Sequence, residues 1–277
     1  MKILRYIRDV RQLISNKPVF ATSDIKIGHN VRFGKNVIFN CKKVRIGDGV
    51  IFQDNVTIES DVFRIGDYGT IYQGCFFPGP GKLTIGHNFW IGASAIVDCQ
   101  GGTTIGNNVG IGAQSQLWTH IQYGDMMYGC RFSGSKPLII EDDVWIVGHC
   151  LSGPVTMEKR SMAMLGSLIT TRMNKDRTYA GVPAVDVTEK FGPQFEITPI
   201  AKRKELLTKY LSEFAAQQKI EDIFEHIAIE TAPGKYAAGS SLKTAFNIAD
   251  RAYIKRNSDL ESALMRFLLP DIKFIPK

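Results

Sequence analysis

The apolar positions of this chain fall on a six-residue beat that begins at Ile27. Ile27-Gly28-His29-Asn30-Val31-Arg32 is followed by Phe33-Gly34-Lys35-Asn36-Val37-Ile38, and a third unit opens at Phe39. The beat restarts at Ile46, Ile65, Ile85 and Ile105, each followed by Gly, at intervals of 19, 19, 20 and 20 residues. Six residues suit a short strand and a tight corner, not a helical repeat. Three such units make one triangular turn of about 18 residues, the signature of a hexapeptide β-helix. The one or two additional residues of each turn precede the restart and bulge at one corner. The pattern predicts a mainly β fold in which turns stack as parallel strands about 4.8 Å apart. Its core is three ladders: Ile27, Ile46, Ile65, Ile85, Ile105; Phe33, Phe52, Ile71, Ile91, Ile111; and Phe39, Ile58, Phe77, Val97, Leu117. No turn can bury its apolar face alone, so stacking makes the core. A sandwich or barrel of short strands would instead alternate with period 2 and turn every 8–12 residues or so.

Departures from the beat mark the other segments. Residues 2–15 read as a helix, with Ile3, Leu4, Ile7, Val10 and Ile14 on one side and Lys2, Arg5, Arg8 and Arg11 on the other. An N-terminal capping helix within 1–20, covering the open first coil, is favoured. The sharper alternative is weak peripheral contact of this basic helix with an anionic membrane. The coil is expected over 21–190. Ile105 to Ile140 spans 35 residues, a normal turn plus a loop insertion over 121–137. Long loops on a rigid scaffold tend to carry function. After Val185 the beat stops, and 195–277 reads as a small α+β appendage. Helices are expected at 199–218 and 258–268, the second with Ser258 as N-cap and Glu261 three residues on. Strands are expected at 223–230, 243–254 and 271–276.

Composition narrows the partners. The chain of 277 residues carries a net charge of +7, without a dense basic run interleaved with aromatics. That argues against nucleic acid and suits a smaller phosphorylated ligand. Cys41, Cys75, Cys99, Cys130 and Cys150 are odd in number, scattered and without CxxC spacing. They suggest reduced thiols, a cytoplasmic location and no zinc site. The N-terminus is too polar for a signal peptide, and no apolar run reaches membrane-span length.

The segment Ile140-Glu141-Asp142-Asp143-Val144-Trp145-Ile146-Val147-Gly148-His149, then Gly166-Ser167-Leu168-Ile169-Thr170, then Ala180-Gly181-Val182-Pro183-Ala184 follow one another in order. In this the chain resembles the hexapeptide-repeat acyltransferases, left-handed parallel β-helix enzymes that move acetyl from acetyl-CoA. The resemblance covers about residues 21–187. Left-handedness comes from it alone, against the usual crossover rule. Val147 stands where the family usually has Gly, Ser152 opens a hexad without an apolar residue, and one residue is missing between Trp145 and Met157.

The resemblance implies a catalytic histidine just before a loop, here His120 in Trp118-Thr119-His120. Acyl transfer to a hydroxyl needs a base, and imidazole suits that task. Direct attack on acetyl-CoA, without a covalent acyl-enzyme, is the simpler scheme. Asp98 lies one coil below and could orient the ring, as could Asp125 or a backbone carbonyl. Trp118, Tyr123, Asp125 and Tyr128 are the expected acceptor contacts. By resemblance, acetyl-CoA lies along Trp145, Gly148, His149, Leu165, Gly166 and Thr170, with its phosphates near Arg172, Lys175 and Arg177, beside Lys159 and Arg160. No metal is expected. His29 and His87 are expected to face solvent. The family implies a homotrimer with sites between subunits.

The leading reading is an O-acetyltransferase acting on a sugar of a polysaccharide or glycan precursor. N-acetylation of an amino-sugar nucleotide is a close variant. Two readings from other classes stay open: a zinc hydratase of the carbonic-anhydrase type using His87, His120 and His149, and a non-catalytic scaffold.

Overall fold

Each hexad folds as a short strand and a corner, and each hexad position recurs directly above itself one coil later. The computed structural model describes residues 17–236 and 243–277; the helix expected at 2–15 lies outside the described residues. On the first face Ile27 pairs with Ile46, Ile46 with Ile65, Ile65 with Ile85, Ile85 with Ile105 and Ile105 with Ile140, all in parallel. On the second face the ladder runs Phe33, Phe52, Ile71, Ile91, Ile111, Ile146 and Ala163. On the third, Phe39 pairs with Ile58 and Ile58 with Phe77, and above them Val97 pairs with Leu117, Leu117 with Ser152 and Ser152 with Ile169. The fold is a parallel β-helix, and almost all of these side chains are buried in one apolar cluster. Ile27, at 42 % exposed, and the half-buried Phe33 are exceptions, because a ladder begins with each. The coil also starts earlier than expected. Val19 and Phe20, placed by the sequence in a capping helix, form a strand on Ile38 and Phe39.

The corners repeat as faithfully as the faces. Asn30, Asn36, Asn55, Asn88 and Asn108 occupy the fourth place of their hexads with φ of 55–59°, a conformation Asn tolerates better than most residues. Their amides also bond vertically, Asn36 to Asn55 at 3.1 Å and Asn88 to Asn108 at 3.0 Å. In the third place, each side chain accepts the backbone N–H of the coil below. The series is Asp48 from His29, Asp67 from Asp48, His87 from Asp67, Asn107 from His87 and Asp142 from Asn107, at 2.6–2.9 Å. His87 is therefore a half-buried acceptor in this ladder, contrary to the solvent-facing expectation; His29 is exposed as expected.

The corner between the third and first faces changes along the coil. In the lower turns the strands Ile38–Ile46 and Thr57–Ile65 run through it unbroken. In the next two the chain breaks, at Pro78–Gly81 and Cys99–Gly102. At the first break packing leaves no room for side chains: a Cβ on Gly81 would lie 1.8 Å from the Cys99 carbonyl oxygen, and one on Gly79 2.5 Å from the Gln100 nitrogen. The last coils absorb the shortened hexads by pairing Ile140 with Met157 and Met157 with Met173. Ser152 takes an apolar position, and its hydroxyl donates to the Gly153 carbonyl at 2.8 Å.

The described chain divides into two units, 1–195 and 196–277. In the second, the helix Ile200–Gln218 buries Leu207, Leu211, Phe214 and Ala215, while Leu206 is 47 % exposed. The helix Asp259–Leu268 starts at the expected cap, with Ser258 Oγ accepting the Glu261 N–H at 3.1 Å. The strands are shorter than expected: Ile227–Glu230 after a 3-10 turn at Ile223–Glu225, Thr244–Asn247, Ala252–Tyr253 and Ile275–Pro276. The turn after Asn247 breaks the 243–254 run, because Asn247 Oδ1 accepts the N–H groups of Ala249 and Asp250. Among the described residues, no helix is long and apolar enough to cross a membrane.

Candidate active site

The broken corner gathers the polar groups. Val97 pairs with Leu117, so the residues just after them, Asp98 and Trp118-Thr119-His120, leave the coil one above the other. Asp98 is fully buried. Its Oδ2 accepts the Thr119 N–H at 2.8 Å, the Thr119 hydroxyl, and His120 Nδ1 at 2.7 Å. Its Oδ1 accepts the Gln100 N–H at 3.1 Å. Thr119 Oγ1 also accepts the Gly101 N–H at 2.9 Å, which fixes its hydroxyl hydrogen on Asp98. Burial pushes the Asp98 carboxyl up, but the hydrogen bonds from Thr119, His120 and Gln100 outweigh it and hold the group below the usual carboxylate range. Asp98 is therefore an anion.

An acceptor-only carboxylate determines the imidazole tautomer. His120 Nδ1 must carry a proton to bond Asp98, so in the neutral ring Nε2 keeps its lone pair. The His120 side chain is 27 % exposed. The Trp118 ring packs against it edge-on at 6.3 Å and is itself 36 % exposed. Asp98 is thus the residue that the structure brings to His120. Asp125, the other candidate, instead accepts the Met127 N–H at 2.8 Å within its own turn.

The insertion is a hairpin that begins at His120. His120–Gln122 pairs antiparallel with Ser133–Ser135, His120 opposite Ser135. The Lys136 N–H bonds the Thr119 carbonyl at 2.9 Å and returns the chain to the coil. The hairpin projects Ile121, Tyr123, Met126, Met127, Tyr128 and Phe132, all at least 61 % exposed. Tyr123 and Tyr128 are 100 % and 90 % exposed, so neither packs onto its own coil as a wall beside Trp118.

The residues expected to hold the coenzyme lie higher on the coil. Trp145 follows Gly110 on the outside of the second face and is 42 % exposed. Gly148, with φ of 150°, lies beside Leu165, whose Cδ1 would be 3.5 Å from an added Cβ. Gly166 has φ of 73° and open space where a side chain would be. Leu165, Thr170 and His149 are exposed, and His149 turns a corner with φ of 49°. The basic cluster is interleaved with carboxylates. Arg172 bonds Glu158, Arg160 bonds Asp176, Arg177 lies 3.7 Å from Asp186 and Lys159 lies 3.7 Å from Asp142. The Lys175 N–H also donates to Glu158 at 2.8 Å.

The three histidines of the zinc reading sit at three different corners. His87 lies between the first and second faces, His149 between the second and third, and His120 between the third and first. The registers keep them apart.

No family model and no curated protein matches the chain. Solved structures do show similarity. The polySia-specific acetyltransferase NeuO is 19 % identical, with 70 % of this chain and 96 % of that one covered and a TM-score of 0.40. A mutant of AntD, an N-acyltransferase from Bacillus cereus in complex with dTDP and coenzyme A, is 16 % identical, with 70 % and 92 % covered and a TM-score of 0.42. A hexapeptide-repeat acetyltransferase from Vibrio cholerae complexed with acetyl coenzyme A is 19 % identical, with 68 % and 76 % covered and a TM-score of 0.31. Each is a protein that this chain is similar to.

Proposed function

We propose that the chain is an acetyl-CoA-dependent acetyltransferase that acylates a sugar hydroxyl, with His120 as general base. The observation that carries this reading is the buried Asp98 carboxylate on His120 Nδ1. It leaves Nε2 as a lone-pair base at a half-exposed position, and it stabilises the imidazolium that forms when the ring takes a proton. A scaffold has no need of a buried anion oriented on an accessible ring.

His120 Nε2 takes the hydroxyl proton as the oxygen bonds to the acetyl carbonyl carbon. The carbon–sulfur bond then breaks, and the imidazolium returns the proton to the leaving thiolate. Asp98 remains ionised throughout. Trp118 offers a flat apolar face beside the base, suited to one side of a sugar ring. The exposed shelf of Trp145, Leu165 and Gly166, beside the buried Gly148, fits an extended apolar arm with amides, since Gly166 leaves backbone open beside apolar side chains. Arg172, Lys175 and Arg177 would meet the phosphates by exchanging carboxylate partners for phosphate oxygens. The hairpin's exposed apolar tip is suited to a neighbouring subunit, in keeping with a homotrimer.

Oxygen is favoured over nitrogen as the acceptor atom because attack by a hydroxyl needs a base more than attack by an already neutral amine does. The test pairs binding with turnover. Titration with acetyl-CoA is expected to saturate near one site per chain, and His120→Ala to lower acetyl transfer by roughly 10²–10⁴-fold with coenzyme affinity retained. Undiminished transfer by His120→Ala removes the base, and absence of coenzyme binding removes the acetyl donor.

A further inference from the structure

The first face of the coil carries a ladder of cations that packing does not require. Lys26 pairs in register with Arg45, and Arg45 with Arg64. One hexad position thus places three positive charges on consecutive coils, about 4.8 Å apart. Two residues earlier in each strand, Lys43 and Lys82 flank Val62 in a second column. Like charges directly opposite one another destabilise a sheet, so this arrangement works against the fold. One acid answers it: Asp24 bonds Arg45 and lies 3.5 Å from Lys43. Asp61, at the adjoining corner, is taken by Lys42 at 2.8 Å, and Glu59 is the other acid of that corner. Among the described residues, no side-chain ion pair involves Lys26, Arg64 or Lys82, and all three are exposed.

The columns lead toward His120. Above Arg64 the first becomes Thr84 and Thr104, paired in register. Beside Thr104, Gly101 and Gly102 form the corner whose N–H holds Thr119. Cations over the lower coils thus give way to threonines, of which Thr104 is exposed, and then to the base. A cleft of about 610 Å³ lies on the lower coils of the same edge, lined by Thr22, Asn40, Lys42, Glu59, Asp61 and Pro80, among others.

We infer that this face docks a polyanionic glycan chain, one bearing a carboxylate on its sugars, whose end or branch reaches His120. This inference rests on the acetyltransferase reading of the site. Charge complementarity selects an anion, and the rise of one coil is comparable with the advance of one sugar residue in an extended chain. The outer positions, Lys, Arg, Thr and Val62, offer no aromatic platform on which bases would stack. They offer little apolar surface to enter a bilayer.

The test is equilibrium titration of the full-length protein with an oligogalacturonate long enough to span four coils. The comparisons are the same oligomer with its carboxylates reduced to alcohols, and the triple variant Lys26→Gln, Arg64→Gln, Lys82→Gln. The uronate is expected to bind with an affinity that falls with salt. The variant is expected to bind roughly 10–100-fold more weakly, as three exposed charge contacts imply. The reduced oligomer is expected to bind no better to wild type than to the variant. The variant's melting temperature should stay level or rise, since like-charge repulsion is relieved. Absent uronate binding, equal binding by the variant, or equal binding of the reduced oligomer overturns the proposal. So does a preference for duplex DNA or phosphatidylserine vesicles over the uronate. Acetyl-CoA binding in the same samples keeps the two ideas separate. Coenzyme binding without glycan binding defeats the glycan face alone, and glycan binding without coenzyme binding defeats the transferase alone.

Discussion

At the residue scale, Thr119 does more than connect Leu117 to His120. Its hydroxyl donates to Asp98 and accepts from Gly101, and its N–H donates to the same carboxylate oxygen. Thr119→Val keeps the shape and removes both hydroxyl bonds. It should cost about 1–3 kcal/mol in stability, as expected for an unpaired buried N–H. It should also lower kcat with little change in KM for the acyl donor, and Thr119→Ser should restore most of both. Thermal melting and steady-state rates check this. Asp98 supplies a pH prediction. Its folded pKa is depressed from the ordinary 3.8, so its contribution to stability is present above that value and is lost as pH falls through the folded pKa. Melting temperatures of wild type and Asp98→Asn should converge on acidification, and a constant gap down to strongly acidic pH would count against an ionised Asp98.

At the element scale, the broken corner and the hairpin make opposite demands. The corner is tightly packed: Gly81→Ala would drive a methyl into the Cys99 carbonyl, next to Asp98. A destabilisation of several kcal/mol is expected, with loss of turnover even in the folded fraction. The hairpin is loosely attached. Replacing 123–132 with a short glycine linker should leave the melting temperature of the coil within a few degrees, since the removed apolar side chains are mostly exposed. A large loss of stability in a dilute sample would show that the tip packs onto the coil. The hexad predicted the interruption and its ends because the beat stops and restarts in phase. It did not predict two paired strands, since Ser133-Gly134-Ser135 has no strand-like pattern. Their pairing follows from the direction in which His120 leaves the corner.

At the scale of the whole molecule, the coil's apolar cluster runs from Val37 to Tyr179 and lies entirely within the first unit. A chain ending at residue 195 is therefore expected to fold, with a β-type circular dichroism spectrum and a cooperative melt. A molten or insoluble product would show that residues 196–277 complete the core.

What the sequence determined by itself was the periodic part. A repeat folds by placing like upon like, so the hexad phase alone dictated three ladders and their registers, and put Asp98 one strand from His120. The Lys26, Arg45 and Arg64 column was equally readable, because all three occupy the place before the restart isoleucine. Tertiary structure decided what depends on direction rather than on period. It selected Asp98 over Asp125 as the partner of His120 and made Thr119 the bridge between them. It turned His87 inward as an acceptor and gave the arginines of the last coils carboxylate partners. Each of these turns on where a side chain points at a corner, and corner dihedrals are set by the coil below, which no local pattern records.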